Sequence, residues 1–189
     1  MAVGLLHPGE MGAAIGGRLC VPVLWASEGR SAETRRRAAA FEDAGTVAEV
    51  ARRSDVILSV CPPHAARAVA RGAAGFGGIY VDANAVAPAS ARELAELFPR
   101  FVDGGIVGPP PGEGRSTRLY LSGREAASVA ALFAGSGVDA RGSVGADDPV
   151  LAVEDALREF GADEVVLAGD ADLLSAARER VAVPVSLLG

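Results

Sequence analysis

The sequence contains no lysine, since all 18 basic residues are arginine. A mechanism that needs an ammonium group as proton donor or acceptor is therefore excluded within this chain. Cysteine is also scarce: Cys20 and Cys61 are the 2 cysteines, and they lack a metal-ligand spacing such as C-x-x-C. We expect both to be buried free thiols rather than partners in a disulfide.

Long hydrophobic runs and an excess of positive charge are missing as well. No apolar stretch approaches the ~20 residues that a membrane-spanning helix needs, and no charged leader precedes an apolar run. The net charge of −6 argues against nucleic acid or an anionic membrane as the main partner. We therefore expect a soluble, cytoplasmic protein.

Short apolar segments, by contrast, are abundant and alternate with helical patterns. Of the 189 residues, 50% are hydrophobic, enough for the core of one domain with an appendage. Residues 3–6 and 55–60 are predicted as buried strands, and Ser31 and Thr46 as helix N-caps. This alternation predicts an α/β fold with a Rossmann-type, doubly wound, mostly parallel sheet. Ligands of such sheets bind beyond the carboxyl ends of the strands.

In the last part of the chain, strands and helices continue to alternate, but the sequence pattern changes slightly. An apolar stripe at helical spacing begins at Val150 and is followed by a strand, a helix and a last strand. We therefore divide the chain into a Rossmann domain, residues 1–144, and a short α/β extension or small lobe, residues 145–189.

The segment HPGEMG lies between the first predicted strand and the first predicted helix. Gly9 and Gly12 match the second and third glycines of the G-x-G-x-x-G dinucleotide fingerprint, while His7 and Pro8 depart from it. Pro8 has no N–H group and is expected to hold His7 in an extended conformation. A purely structural glycine turn is the alternative. The backbone N–H groups predicted to bind a pyrophosphate are those of Gly9, Glu10, Met11 and Gly12.

The end of the second predicted strand, at Ala26 and Ser27, selects the cofactor in this kind of fold. An acidic residue at this point would bind the ribose 2′-hydroxyl of NAD, but Glu28 comes slightly late. Ser27 and Arg30 are instead suited to hold a 2′-phosphate. The sequence therefore favours NADP and leaves NAD open.

Four segments in register resemble one known family. They are GLLHPGEMGAAIG, DVILSVCPPHAA, YVDANAVAPASAR, and FVDGGIVGPPP followed by TRLYLSG. Over roughly residues 2–144 the chain resembles the NAD(P)-binding domain of the 6-phosphogluconate dehydrogenase and β-hydroxyacid dehydrogenase superfamily, and in particular a bacterial branch with an H-P-G loop. The resemblance implies hydride transfer between the cofactor and a small hydroxy acid or a related carbonyl compound.

The resemblance also implies roles for the ends of the later strands. The loop that contacts the nicotinamide ribose would consist of Cys61, Pro62 and Pro63. Asn84 would lie near the nicotinamide and the substrate, as a cofactor contact and a candidate catalytic residue, with a turn residue that fixes its own backbone as the alternative. The segment whose backbone binds a substrate carboxylate would be Val107, Gly108 and Pro109, although Pro109 removes a donor.

The family's catalytic lysine and the C-terminal helical domain that carries it have no counterpart in this chain. The residues after 144 instead resemble the later half of a universal-stress-type α/β domain. His64 is a candidate acid/base catalyst, with an exposed histidine at a helix start as the alternative. Otherwise a second copy or a partner chain would have to supply the missing group.

Three functions follow from these observations. The first is an NAD(P)-dependent oxidoreductase, or the cofactor-binding half of one. The second is a noncatalytic nucleotide-binding sensor or regulatory module, which the absence of lysine and the altered tail favour. The third is a Rossmann-shaped interaction protein that has lost its ligand, which His7, Pro8 and Glu10 would support.

Overall fold

The computed structural model describes residues 1–143, 148–167 and 170–187. Contacts divide the chain into two compact units, Met1–Ser143 and Val144–Gly189, next to the boundary predicted after residue 144.

The first unit consists of one sheet with helices between its strands. The strands are β1 (Val3–Leu6), β2 (Val23–Trp25), β3 (Glu42–Asp43), β4 (Val56–Ser59), β5 (Ile79–Asp82), β6 (Phe101–Val107), β7 (Thr117–Ser122) and β8 (Val138–Ser143). The helices are α1 (Glu10–Gly16), α2 (Ala32–Arg37), α3 (Val47–Arg53), α4 (Ala66–Gly72), α5 (Pro88–Ala95) and α6 (Ala126–Ala131), and a 3-10 helix spans Pro63–Ala65.

The order of strands in this sheet is β3-β2-β1-β4-β5-β6-β7-β8. Every neighbouring pair is parallel except β6 and β7, which are antiparallel. The chain first builds outward from β1 through β2 to β3 and then restarts at β4 on the other side of β1. A crevice opens where the strand order reverses in this way, above the carboxyl ends of β1 and β4. The architecture confirms the predicted α/β class with a mostly parallel sheet.

Both faces of the sheet are covered, as continuous apolar strands require. Leu5 and Leu58 belong to a core cluster on one face, and the adjacent Leu6 and Ile57 belong to a cluster on the other. The predicted caps are confirmed, because the side chains of Ser31 and Thr46 each accept a hydrogen bond from the backbone N–H three residues later.

The second unit forms its own small α/β assembly. Its described elements are α7 (Pro149–Phe160), β9 (Val165–Leu167), α8 (Ala171–Arg180) and β10 (Val185–Leu187), and β9 and β10 form a two-stranded parallel sheet. Asp148 caps α7 and Asp170 caps α8. Val150, Ala177 and Val185 lie in its apolar core. The likeness to a universal-stress-type domain stays a prediction.

Two smaller expectations were tested by the fold. None of the helices in the described part of the chain combines the length and the apolar character that crossing a bilayer demands. Both cysteines are free, as predicted, but the expectation that both are buried is wrong: Cys20 is exposed just beyond α1, and Cys61 is only partly buried.

Candidate functional site

A mostly apolar cavity of the first unit lies at the carboxyl ends of β1, β4, β5 and β6. This cavity has a volume of about 430 Å³. Its lining residues are Gly9, Glu10, Met11, Gly12, Val60, Cys61, Pro62, Pro63, Ala83, Asn84, Ala85 and Ile106. We call it the main cavity. It lies at the reversal of strand order, where ligands of open α/β sheets bind.

One wall of the main cavity is the turn between β1 and α1. His7 has a φ of 62°, so the expectation of an extended His7 is wrong. The N–H of Gly9 donates to the carbonyl oxygen of His7 over 2.7 Å, which closes a tight turn around Pro8. Because β1 and α1 are separated only by these three residues, the need to reverse the chain outweighs the extended preference that Pro8 imposes.

This turn changes which backbone groups are available at the start of α1. Gly9 was expected to offer its N–H to a pyrophosphate, but that group is bonded to His7. The first intrahelical bond runs from Ala13 to the carbonyl oxygen of Gly9 over 2.9 Å. The N–H groups that precede this bond and have no intrahelical acceptor are those of Glu10, Met11 and Gly12.

Glycine is present at positions 9 and 12 of the fingerprint for two different physical reasons. A Cβ at Gly12 would lie 2.8 Å from the His7 carbonyl oxygen and 3.4 Å from Cβ of Val60, so packing inside the protein excludes a side chain there. A Cβ at Gly9 would meet no described atom within 4 Å. Gly9 has a φ of −68°, which any residue adopts. The fold itself therefore does not require glycine at this position, which faces the main cavity.

A second, smaller cavity lies on the other side of the His7 turn. Its volume is about 260 Å³, and its lining is mostly apolar: Leu6, His7, Arg30, Val47, Ala65, Ala68, Val69 and Gly72. We call it the side cavity. Nη1 of Arg30 lies 2.9 Å from Nδ1 of His7, and Nη2 of Arg30 lies 2.9 Å from Nε2. Burial, together with the Arg30 charge, lowers the pKa of His7 to about 4, so the ring is neutral near pH 7.

The end of β2 is a tightly bonded turn. Ala26 and Ser27 are buried, and the Ser27 carbonyl oxygen accepts hydrogen bonds from the Arg30 N–H at 3.1 Å and from Nη2 of Arg35 at 2.8 Å. A hydrogen bond from the Ser27 side chain lowers the pKa of Asp43 at the end of β3. The sequence pattern does not point to this carboxylate, because the acidic residue that would bind a ribose is expected at the end of β2 itself. The strand order brings the end of β3 beside that of β2.

Asn84 links the loops that follow β4 and β5. Its Oδ1 accepts from the Cys61 N–H at 2.6 Å, and its Nδ2 donates to Asp82 Oδ1 at 2.7 Å and to Ser59 Oγ at 3.3 Å. Burial raises the pKa of Asp82 to about 6, and the nearby Asp103 adds to the shift. Oδ2 of Asp82 is buried without a hydrogen-bond partner in the described structure. The amide of Asn84 thus holds the floor of the main cavity together.

The remaining predicted residues are divided between the cavity and the surface. Pro62 and Pro63 line the main cavity, whereas His64 is exposed on the 3-10 helix and is not part of either cavity wall. The predicted substrate segment at the end of β6 is exposed and is not among the lining residues of the main cavity: the side chain of Val107 is 55% exposed. Gly108 has a φ of 110° and the Pro109 carbonyl oxygen accepts from Thr117 at 2.7 Å.

Some lining residues of the main cavity carry no sequence signal for a site. They are the apolar Val60, Ala83, Ala85 and Ile106. Only their position at strand ends, beside Cys61 and Asn84, could have identified them. Among the lining residues, the titratable side chains are those of Glu10 and Cys61, and burial raises the pKa of the Cys61 thiol. The cavity therefore has a largely apolar lining with one exposed carboxylate at its edge.

Comparisons with known proteins place this fold. No family model matches the sequence, and no curated protein matches it. Among solved structures, the conserved protein MTH1747 of unknown function, described as structurally similar to 3-hydroxyacid dehydrogenases, is 29% identical with a TM-score of 0.67. The alignment covers 84% of this chain and 64% of that one. The chain has a Rossmann-type fold.

Two further structures carry nicotinamide dinucleotides. An imine reductase variant from Myxococcus stipitatus in complex with NAD⁺ is 22% identical, with a TM-score of 0.58 and coverage of 84% of this chain and 59% of that one. A reductive aminase from Aspergillus terreus in complex with NADPH4, cyclohexanone and allyl amine is 18% identical, with a TM-score of 0.63 and coverage of 85% and 60%. The alignments thus span less than two thirds of the length of each of these three structures.

Proposed function

We propose that the first unit binds a nicotinamide dinucleotide, NADP in preference to NAD, and that the chain is an oxidoreductase or the cofactor-binding half of one. The substrate would be a small hydroxy acid or a related carbonyl compound. The observation that carries the proposal is the main cavity at the reversal of strand order, with the turn from β1 to α1 as its wall. The neighbouring folds solved with NAD⁺ and NADPH4 support the same ligand class.

The residues present fit a dinucleotide at two points. The open space at Gly9 leaves room for a pyrophosphate beside the N–H groups of Glu10, Met11 and Gly12. Arg30 provides a partly buried guanidinium whose Nε has no hydrogen-bond partner in the described structure. These two features would hold the pyrophosphate and the 2′-phosphate, and the loop from Cys61 to Pro63 would contact the nicotinamide ribose.

The residues of the main cavity would form a binding surface for the cofactor, but none of them is an evident proton donor for the substrate. A bound nicotinamide dinucleotide would supply the hydride that is given or taken. Asn84 would orient the floor of the cavity through the Cys61 N–H, and the apolar wall that includes Ile106 would exclude water. The proton on the substrate oxygen would be moved by a group from a second copy or a partner chain, or by His64 if the 3-10 helix turns it inward.

One observation favours a second candidate function, a noncatalytic nucleotide-binding sensor or regulatory module. The titratable side chains that line the main cavity are Glu10, which is exposed, and Cys61, whose thiol stays protonated near neutral pH. A thiol that stays protonated is not a proton shuttle suited to pH 7, and Glu10 lies at the edge of the cavity. Binding without turnover is what such a module would show.

Cofactor titration followed by an activity assay separates these functions. Trp25, the single tryptophan, is buried at the end of β2 and reports on the adenosine side of the site through its emission. NADPH should change this emission, and NADH should do so at higher concentration. No saturable change with either cofactor would contradict the proposed ligand and favour an interaction protein. Reduction of NADP with a panel of small hydroxy acids then separates an enzyme, which turns over, from a sensor, which does not.

A further inference from the structure

The backbone of His7 is held in an unfavourable conformation. With a φ of 62°, it is the one non-glycine residue with positive φ among the described residues. Glycine adopts this conformation without a steric penalty, whereas a residue with a side chain is strained there. The loop would therefore form more easily with glycine at this position. A strained residue of this kind in a ligand cavity points to a role for its side chain.

In the part of the chain that the structure describes, the side chain of His7 has one hydrogen-bond partner, the guanidinium of Arg30. Both terminal nitrogens of Arg30 lie 2.9 Å from the two ring nitrogens of His7. Because a neutral imidazole has one acceptor nitrogen, one of these contacts is a hydrogen bond donated by Arg30 and the other is a close contact. The two nitrogens of the guanidinium are thereby aligned with the ring rather than free to rotate.

This contact holds Arg30 without neutralising it. Burial and the Arg30 charge keep His7 uncharged, with a pKa of about 4. No carboxylate pairs with Arg30 in the described part of the chain. By contrast, Nη1 of Arg35, five residues later in α2, lies 4.0 Å from Oδ2 of Asp43. Nε of Arg30 is also buried without a hydrogen-bond partner there. A partly buried positive charge left in this state is suited to receive an anion.

The surroundings of Arg30 say what kind of anion fits. The side cavity beside it is apolar, with Leu6, Val47 and Val69 in its wall. Its volume of about 260 Å³ suits a flat organic ring better than a bare inorganic ion. An anion attached to such a ring combines both features, as a phosphorylated adenosine does.

We propose that His7 is a positioning residue that pre-orients Arg30 for the 2′-phosphate of a phosphorylated dinucleotide and so sets the preference for NADP over NAD. The proposal rests on the dinucleotide site proposed above. It assigns the side chain of His7 to the choice of cofactor, a role distinct from that of its backbone in the turn. The strain at His7 would then be compensated by a better-ordered Arg30.

The test compares NADPH and NADH affinities of four proteins by Trp25 emission: wild type, His7→Gly, Arg30→Met and the double variant. His7→Gly should weaken NADPH binding by about tenfold, the loss of one well-oriented charged hydrogen bond, and change NADH binding by less than about twofold. In the Arg30→Met background the same His7→Gly change should have no further effect on NADPH, because the ring then has nothing to orient. His7→Asn, which tolerates positive φ but is too short for both contacts, should behave as His7→Gly does.

Two results would overturn the role of His7. One is an unchanged ratio of NADPH to NADH affinity in both His7 variants, and the other is an equal loss of NADPH affinity with and without Arg30. A wild type that binds neither cofactor would instead contradict the proposed function. Circular dichroism and thermal unfolding of each variant show whether it is folded, and His7→Asn provides the measurement if His7→Gly is not.

Discussion

The side-chain oxygen of Asn84 accepts a hydrogen bond of 2.6 Å from the backbone N–H of Cys61 and so joins the ends of two adjacent strands, β4 and β5. The amide nitrogen of the same residue donates to Asp82 and Ser59, both fully buried. One side chain thus satisfies three polar groups beneath the main cavity. A turn residue that fixed its own backbone would not reach from one strand end to the next.

Asn84→Ala should destabilise the protein by about 2 kcal/mol, because it removes the hydrogen-bond partner of the Cys61 N–H and of Oδ1 of the buried Asp82. Chemical denaturation measures this change in the free energy of unfolding. Ser128→Ala on the exposed face of α6 is the matched polar-to-alanine control and should lie within about 0.5 kcal/mol of wild type. A loss no larger than that of the control would show that Asn84 is not a structural link.

The carboxyl of Asp82 makes stability depend on pH in the direction opposite to an ion-paired carboxylate. Burial, and to a lesser extent Asp103, raises its pKa from 3.8 to about 6 in the folded protein. The folded state therefore binds the proton more tightly than the unfolded chain, so its contribution to stability is fully present below pH ~4 and is lost as the pH rises through ~6. Relative to wild type, Asp82→Asn should gain up to about 3 kcal/mol of stability between pH 4 and 7.

Denaturation of wild type and Asp82→Asn at several pH values measures this difference. Asp139→Asn is the contrasting control, because a hydrogen bond from Arg141 lowers the pKa of Asp139. The contribution of that carboxylate is present above its unfolded pKa of 3.8 and is lost only as the pH falls below it, so the wild-type minus Asp139→Asn difference should stay nearly constant from pH 4 to 7. A wild-type minus Asp82→Asn difference that stays constant from pH 4 to 7 would mean that Asp82 is ionised throughout.

Much of the fold follows from local patterns in the sequence. Continuous apolar runs such as residues 56–59 can only be satisfied by a strand covered on both faces, and Ser31 and Thr46 fix helix starts by bonding their own backbones. These signals depend on neighbours in the chain. They are therefore sufficient for the class of the sheet, but they do not predict the two-residue strand β3 at its edge.

The details of the candidate site depend on residues that are distant in the chain. His7 and Arg30 are 23 positions apart, as are Cys61 and Asn84. No local pattern shows that the short connection from β1 to α1 forces His7 to a positive φ, although Pro8 favours an extended conformation for the residue before it. The site residues could be predicted as a set of strand ends, but their partners required the strand order.

Arg30→Met should weaken the binding of NADPH at least tenfold and leave that of NADH nearly unchanged, since it removes the one uncompensated guanidinium beside the side cavity. Arg36→Met removes the same charge from the exposed face of α2 and serves as the control for net charge. Fluorescence titration of both variants with both cofactors gives the comparison. Equal weakening of NADPH by the two variants would indicate a long-range effect of charge and remove Arg30 from the site.

Gly9→Asp should abolish dinucleotide binding while leaving the fold intact. The residue is the N-cap of α1, with a φ of −68°, and a Cβ there meets no described atom within 4 Å, so the variant is not strained. Aspartate is also a better N-cap than glycine, so thermal stability should be unchanged or slightly higher. The new carboxylate, however, would lie where a pyrophosphate must approach the N–H groups of Glu10 and Met11. Gly9→Asn, which has the same size without the charge, should retain more affinity than Gly9→Asp. A Gly9→Asp protein that still bound NADPH as tightly as wild type would place the pyrophosphate elsewhere on the chain.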